Sequence, residues 1–147
     1  MRVFIAGVMQ GSRTDDLVTD QNYRQVITRI LQENLRDVEI MDPWALHPES
    51  ERYGVERAHD TFMSMTALAG QADVLVAYIP EASMGTAIEI WEAYRSGVKV
   101  FSISPMAENW VVKLLSFQIF STLEAFGVFV ASGGLVCDRA STSKGNR

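Results

Sequence analysis

Val74-Leu75-Val76-Ala77-Tyr78-Ile79, then Pro80-Glu81-Ala82, then Ser83-Met84-Gly85-Thr86-Ala87-Ile88-Glu89, is the stretch that decides the fold of this chain. An unbroken apolar run without alternation reads as a strand buried on both faces, and the helical spacing after it marks a strand-to-helix crossing. Such units build open, mostly parallel α/β sheets, whose ligands lie outside the carboxyl ends of the strands. A Gly-Thr turn at that position can bring backbone N–H groups and a helix N-terminus up to a small anion. It also places one carboxylate, Glu89, just inside the helix.

Strand and helix patterns alternate along the rest of the chain as well. Strands are expected at about Val3 to Ala6, Val38 to Met41, Val74 to Ile79 and Val98 to Ile103, with a shorter fifth at Val128 to Ala131. Between them, Tyr23, Ile27, Ile30 and Leu31 give a helix over about Asp20 to Leu35. Val55, Ala58, Phe62, Met65 and Ala69 give a second over Val55 to Ala69, and a third spans Thr86 to Ser96. Strands alternating with helices predict an α/β, three-layer, flavodoxin-like or Rossmann-like domain with a mostly parallel five-stranded sheet. Residues 1–131 form this single domain in the reading, and residues 132–147 a polar, flexible tail.

Composition narrows the ligands. With 147 residues, 48% of them apolar, the chain can bury a core of its own. A net charge of -5 without a basic stripe argues against a nucleic-acid polymer as partner. The single cysteine, Cys137, can form neither an internal disulfide nor a metal pair, which fits a cytoplasmic protein and no metal. The N-terminal apolar run is too short for a signal peptide. Lys113, Gln118 and Glu124 interrupt the apolar segment from Trp110 to Ala131 within the length of a membrane span, so it reads as buried helix plus a short strand. Val112, Leu115, Ile119, Leu123 and Phe126 share one helical side of it, and Trp110, Leu114 and Phe117 another. A second apolar side predicts a homo-oligomer, a dimer or a dimer of dimers.

Two loops leave carboxyl ends of strands: Gly7-Val8-Met9-Gln10-Gly11-Ser12-Arg13 and Pro80 to Gly85. The first contains neither GxGxxG nor GxxxxGK[ST], so neither a dinucleotide site nor a P-loop is supported. A Gly-bounded turn with the Ser12 hydroxyl and the Arg13 guanidinium can hold a phosphate or carboxylate, and equally can be a solvated surface loop. The stretch from Asp42 to Tyr53, with His47, follows the second strand and can act as a lid or contact a base. Glu89 has a structural reading too, because Thr86-x-x-Glu89 matches a capping box.

Phe4-Ile5-Ala6-Gly7 with Gly11-Ser12-Arg13, Tyr23-Arg24, Ala72-Asp73-Val74-Leu75-Val76-Ala77, Ser83 to Glu89 and Gly97-Val98-Lys99-Val100 together resemble the nucleoside 2-deoxyribosyltransferase superfamily, over about two-thirds of the chain. The resemblance implies a Glu89 carboxylate that attacks the anomeric carbon, giving a glycosyl-enzyme that water or another base resolves. It implies Tyr23 near the sugar or nucleophile, with Gly7, Gly11, Ser12, Arg13, Ser83, Gly85 and Thr86 around the sugar and any 5′-phosphate. Six residues before the Glu, the family's nucleoside transferases have Asp and its monophosphate hydrolases Ser; this chain has Ser83. A hydroxyl there welcomes a phosphate that a carboxylate would repel. The expected activity is hydrolysis of a nucleoside or deoxynucleoside 5′-monophosphate to free base and sugar phosphate. The alternatives are transfer of deoxyribose between bases and a non-catalytic nucleotide sensor. No metal or organic cofactor is expected.

One position departs from the family, which has an Asp eight residues before the Asp of the third strand. Counting back from Asp73 gives Met65. Asp60 lies five residues from Met65, roughly 140° around a helix, and can substitute only through a register shift; His59 and Glu56 are the other candidates. Relatives also complete each site from a neighbouring chain, for which Asn109, Lys113 and Ser116 are the candidates here.

Overall fold

The computed structural model describes residues 1–135. Five parallel strands, β1 (Arg2–Gly7), β2 (Glu39–Met41), β3 (Val74–Tyr78), β4 (Lys99–Ile103) and β5 (Gln118–Phe120), are arranged among these residues in the order β2-β1-β3-β4-β5. In register, Val3 opposes Val74 across β1 and β3, and Val74 opposes Lys99 across β3 and β4. The central strands are apolar on both sides because both faces are covered.

Helices α1 (Asn22–Asn34) and α6 (Leu123–Ala131) cover one face, where Ile27, Leu31, Phe126 and Val130 pack on Val3, Ile5, Val74 and Val76. Helices α3 (Val55–Ala69), α4 (Met84–Arg95) and α5 (Trp110–Leu115) lie on the other side, where Ala69, Ile90 and Val112 meet Phe4, Leu75 and Ala77. A short α2 (Pro43–Leu46) and a 3₁₀ turn, Ser50–Arg52, join β2 to α3. No helix among the described residues is long and apolar enough to cross a membrane.

Two expectations are corrected. Val128 to Ala131 is not a strand but the end of α6, and the fifth strand is Gln118–Phe120. The apolar segment after Trp110 is therefore not one helix: α5 ends at Leu115, and α6 restarts at Thr122, whose hydroxyl accepts from Ala125 N–H at 3.1 Å. A threonine cap and the three-residue ladder to β4 outweigh the helical spacing, because short apolar runs fit either period. The domain also extends past residue 131. Leu135 is 1% exposed and belongs to the core, held by a turn in which Gly134 N–H reaches Phe129 C=O. The remainder of the expected tail, with Cys137, lies outside the described residues.

Candidate active site

The strand order reverses direction between β1 and β3, since α1 leaves β1 for one face and α4 leaves β3 for the other. A crevice forms outside the carboxyl ends of strands at such a point. Here the Gly7–Arg13 loop, the segment after β2 and the N-terminus of α4 meet.

Ser83, not Thr86, is the N-cap of α4. Its hydroxyl accepts from Thr86 N–H at 3.4 Å and from the Thr86 hydroxyl at 2.9 Å. Thr86 is buried at the third position of the helix, and Glu89 lies a turn deeper, too far in to serve as the capping-box partner of the N-cap. The capping reading of Glu89 therefore falls.

The Glu89 side chain instead lines a cavity of about 180 Å³ with Met9, Pro43, His47, Ser50, Tyr53, Ala58, Thr61, Phe62 and Met65. Burial pushes its carboxyl up to about 8; the Arg24 charge opposes that rise and Asp42 adds to it. Beneath it, Arg24 is 3% exposed. Its guanidinium pairs with Asp42 at 2.8 Å and donates to Gln21 Oε1 at 2.7 Å and Ile5 C=O at 3.1 Å. Asp42 also accepts from Trp44 N–H, capping α2. The pair thus ties the ends of β1 and β2 to α1 and fixes a positive charge near Glu89.

Tyr23 stands behind this site. Its hydroxyl donates to Val8 C=O at 3.1 Å, and its ring stacks on Tyr78 at 4.4 Å between centroids. Burial raises its phenol, and the Glu89 charge adds to the rise, so the two groups are neighbours although Tyr23 lines the separate cleft with Thr19 and Asp20. Gly7 is there for Tyr23: a Cβ at this position would lie 2.6 Å from the ring.

A second cavity, about 310 Å³, brings together Gly11, Ser12, Ser83, Met84 and Asn109. The Gly7–Arg13 loop borders both cavities, with Met9 in the first and Gly11 and Ser12 in the second. Gly11 has φ 59°, where a side chain is strained, and the Glu81 carboxylate lies against it. Arg13 lines neither cavity; Asp15 holds it at 2.7 Å through Nε, and the pairing lowers the Asp15 carboxyl. Asn109 caps α5, its Oδ1 accepting from Val111 N–H at 3.0 Å. Gly85 sits in the open first turn of α4, with nothing within 4 Å of its Cβ position.

The second carboxylate is not where the register argument needs it. Asp60 and Glu56 line a neighbouring cleft with Arg57, and His59 is exposed beside Asp60 at 3.2 Å. Neither Asp60, Glu56 nor His59 lines the Glu89 cavity, whereas Met65 does. His47 borders both spaces. Arg24, Asp42 and Tyr53 were not singled out from sequence as site residues, although Asp42 directly follows a strand and precedes a proline, which marks a helix cap at a strand's carboxyl end. Among the described residues no group of three or more His, Cys, Asp and Glu converges as a metal site would need.

Neither a protein-family model nor a curated protein matches the sequence. Solved structures do match in fold. The chain is similar to a 2-deoxyribosyltransferase from Bacillus psychrosaccharolyticus, with TM-score 0.63 and 19% identity over 86% of this chain and 90% of that one. It is likewise similar to a conserved protein from Enterococcus faecalis V583, with TM-score 0.57 and 18% identity over 90% of this chain and 98% of that one. At these identities the likeness is one of fold: the five-stranded parallel sheet between helices is that of the deoxyribosyltransferase.

Proposed function

We propose that the chain is a member of the nucleoside 2-deoxyribosyltransferase superfamily that hydrolyses the N-glycosidic bond of a nucleoside or deoxynucleoside 5′-monophosphate, with Glu89 as nucleophile. The observation that carries this reading is the position of Glu89: a lone carboxylate in a cavity at the β1–β3 crevice, freed from any capping duty. Breaking an N-glycosidic bond builds positive charge on the sugar, which a carboxylate captures as an ester, as in retaining glycosidases. Glu89 bonds to the anomeric carbon, the base leaves with the bonding pair and takes a proton from a general acid, and water then cleaves the ester, returning the carboxylate and that acid's proton. Ser83 and the N-terminus of the 12-residue α4 suit a 5′-phosphate. The occupants of the site are thus small nucleotides or nucleosides.

The test is chromatographic detection of free base from a panel of nucleotides and nucleosides, with Glu89→Gln beside the wild type. Release by the wild type on phosphorylated substrates, and loss of at least about a thousandfold in the variant, supports the reading. Undiminished release by Glu89→Gln sinks it.

A second reading, deoxyribose transfer between bases, is favoured by the fold shared with the Bacillus enzyme and by Glu81, whose carboxylate beside Gly11 disfavours a phosphate there. Incorporation of a labelled free base faster than hydrolysis would select it.

Each site is further proposed to work in a homo-oligomer. Met84, Ile88, Trp91, Trp110 and Leu114 are exposed on α4 and α5, which pack side by side, so these two helices offer a broad apolar face to a second copy. Asn109 stands at the start of α5, where that copy would approach.

A further inference from the structure

Departure of a base from a sugar needs more than a nucleophile, because a purine or pyrimidine anion is a poor leaving group and a proton supplied during bond breaking lowers the barrier. The wall facing Glu89 offers little for that. Met9, Phe62 and Met65 are apolar, and Ser50 and Thr61 are hydroxyls that hold their protons too tightly to give them up. Besides Glu89, the titratable side chains lining the cavity are His47 and Tyr53. They are joined: His47 Nδ1 lies 3.1 Å from Tyr53 Oη, the rings meet edge to face at 5.9 Å, and the Arg57 guanidinium lies 3.8 Å from the Tyr53 ring centroid on its other contact.

Resting on the proposed reaction at Glu89, we infer that His47 is the general acid that protonates the departing base, in the place where Met65 leaves the cavity wall without one. With Nδ1 engaged by Tyr53, Nε2 is the nitrogen left for a ligand. In the imidazolium, Nδ1–H donates to Tyr53 Oη and Nε2–H to a ring nitrogen of the base. As Glu89 forms its bond to the anomeric carbon, the C–N bond breaks, its electron pair goes to the base, and the Nε2 proton follows. In the second half, neutral His47 takes a proton from the attacking water while the ester bond to Glu89 breaks, restoring both groups. Tyr53 is a positioning residue that sets the imidazole's orientation. Glu89 faces His47 from inside the cavity, and Glu56, Arg57 and Asp60 face it from the α3 cleft.

The experiment compares guanosine and inosine 5′-monophosphates, in ribo and deoxyribo forms, with their 7-methyl derivatives, whose cationic base leaves neutral and needs no proton. His47→Gln is expected to lose about a hundredfold or more in kcat/KM on the unmethylated substrates and less than about threefold on the methylated ones. Tyr53→Phe is expected to show the same pattern at smaller amplitude, which keeps the test alive should the glutamine variant fold poorly. Equal losses on both substrate types, or none, would overturn the assignment of His47, as would a wild type active only on methylated substrates. A wild type that releases base from neither type, nor from any nucleotide or nucleoside, would instead bring down the glycosidic reading itself.

Discussion

At the residue scale, the proposed chemistry turns on a carboxylate held in an environment that disfavours its charge. With its carboxyl near 8, Glu89 in the free protein is largely protonated at neutral pH, so on the acid side kcat/KM should rise with pH as the carboxylate forms. The same displacement has a stability consequence of definite sign. An unfolded glutamate releases its proton near 4.5, the folded one near 8, so between those values the native state binds more protons and stability falls as pH rises. Glu89→Gln lacks this penalty. Urea unfolding should find the variant gaining on the wild type from pH 5 to 8, by on the order of a few kcal/mol, and no further above that. A pH-independent difference would contradict the placement of the carboxylate. The Arg24–Asp42 pair predicts non-additivity. Arg24→Met strands a buried Asp42 at a cost of about 3–5 kcal/mol, and adding Asp42→Asn, which keeps the α2 cap acceptor, should return a good part of it.

At the element scale, the proposed reaction depends most on α4, whose N-terminus would determine what the site can hold. Ser83→Ala should cost about 1 kcal/mol by loss of the cap. Ser83→Asp keeps a capping oxygen but puts negative charge where a 5′-phosphate is expected, so the ratio of kcat/KM for nucleotide over nucleoside should drop at least about tenfold. An unchanged ratio would remove the phosphate from that end of the site. The central elements were legible in sequence because two covered faces demand continuous apolar runs: β1, β3 and β4 lie where those runs are, and α3 has the expected bounds, Val55–Ala69. β5 was not, since Gln118-Ile119-Phe120 is three residues long and indistinguishable in pattern from the apolar helices on either side. Glu89 could be read from its strand-to-helix crossing. Arg24 with Asp42, and His47 with Tyr53, could not, because what pairs them is the parallel alignment of β1 with β2 and the fold of the following segment rather than any spacing along the chain.

At the scale of the whole molecule, the sheet order places the two cavities at the one crevice between β1 and β3, while α4 and α5, which border the second cavity, carry exposed aromatic surface. Trp91 and Trp110 are 53% and 79% exposed, more than a lone domain gains from burying. Sedimentation should find a dimer or a dimer of dimers, and Trp91→Ser with Trp110→Ser should shift it toward monomer; a wild type that stays monomeric at high micromolar concentration would refute the second-copy reading. The proposed reaction turns on one covalent event at Glu89. The most direct measurement is peptide mass spectrometry after brief incubation with a 2-fluoro-substituted nucleoside 5′-monophosphate, a substrate whose glycosyl-enzyme is slow to hydrolyse. The account predicts a fluorosugar phosphate attached to the peptide containing Glu89, and none on Glu89→Gln. Base release from that substrate with no adduct on the wild type, or an adduct that persists in the variant, would contradict it.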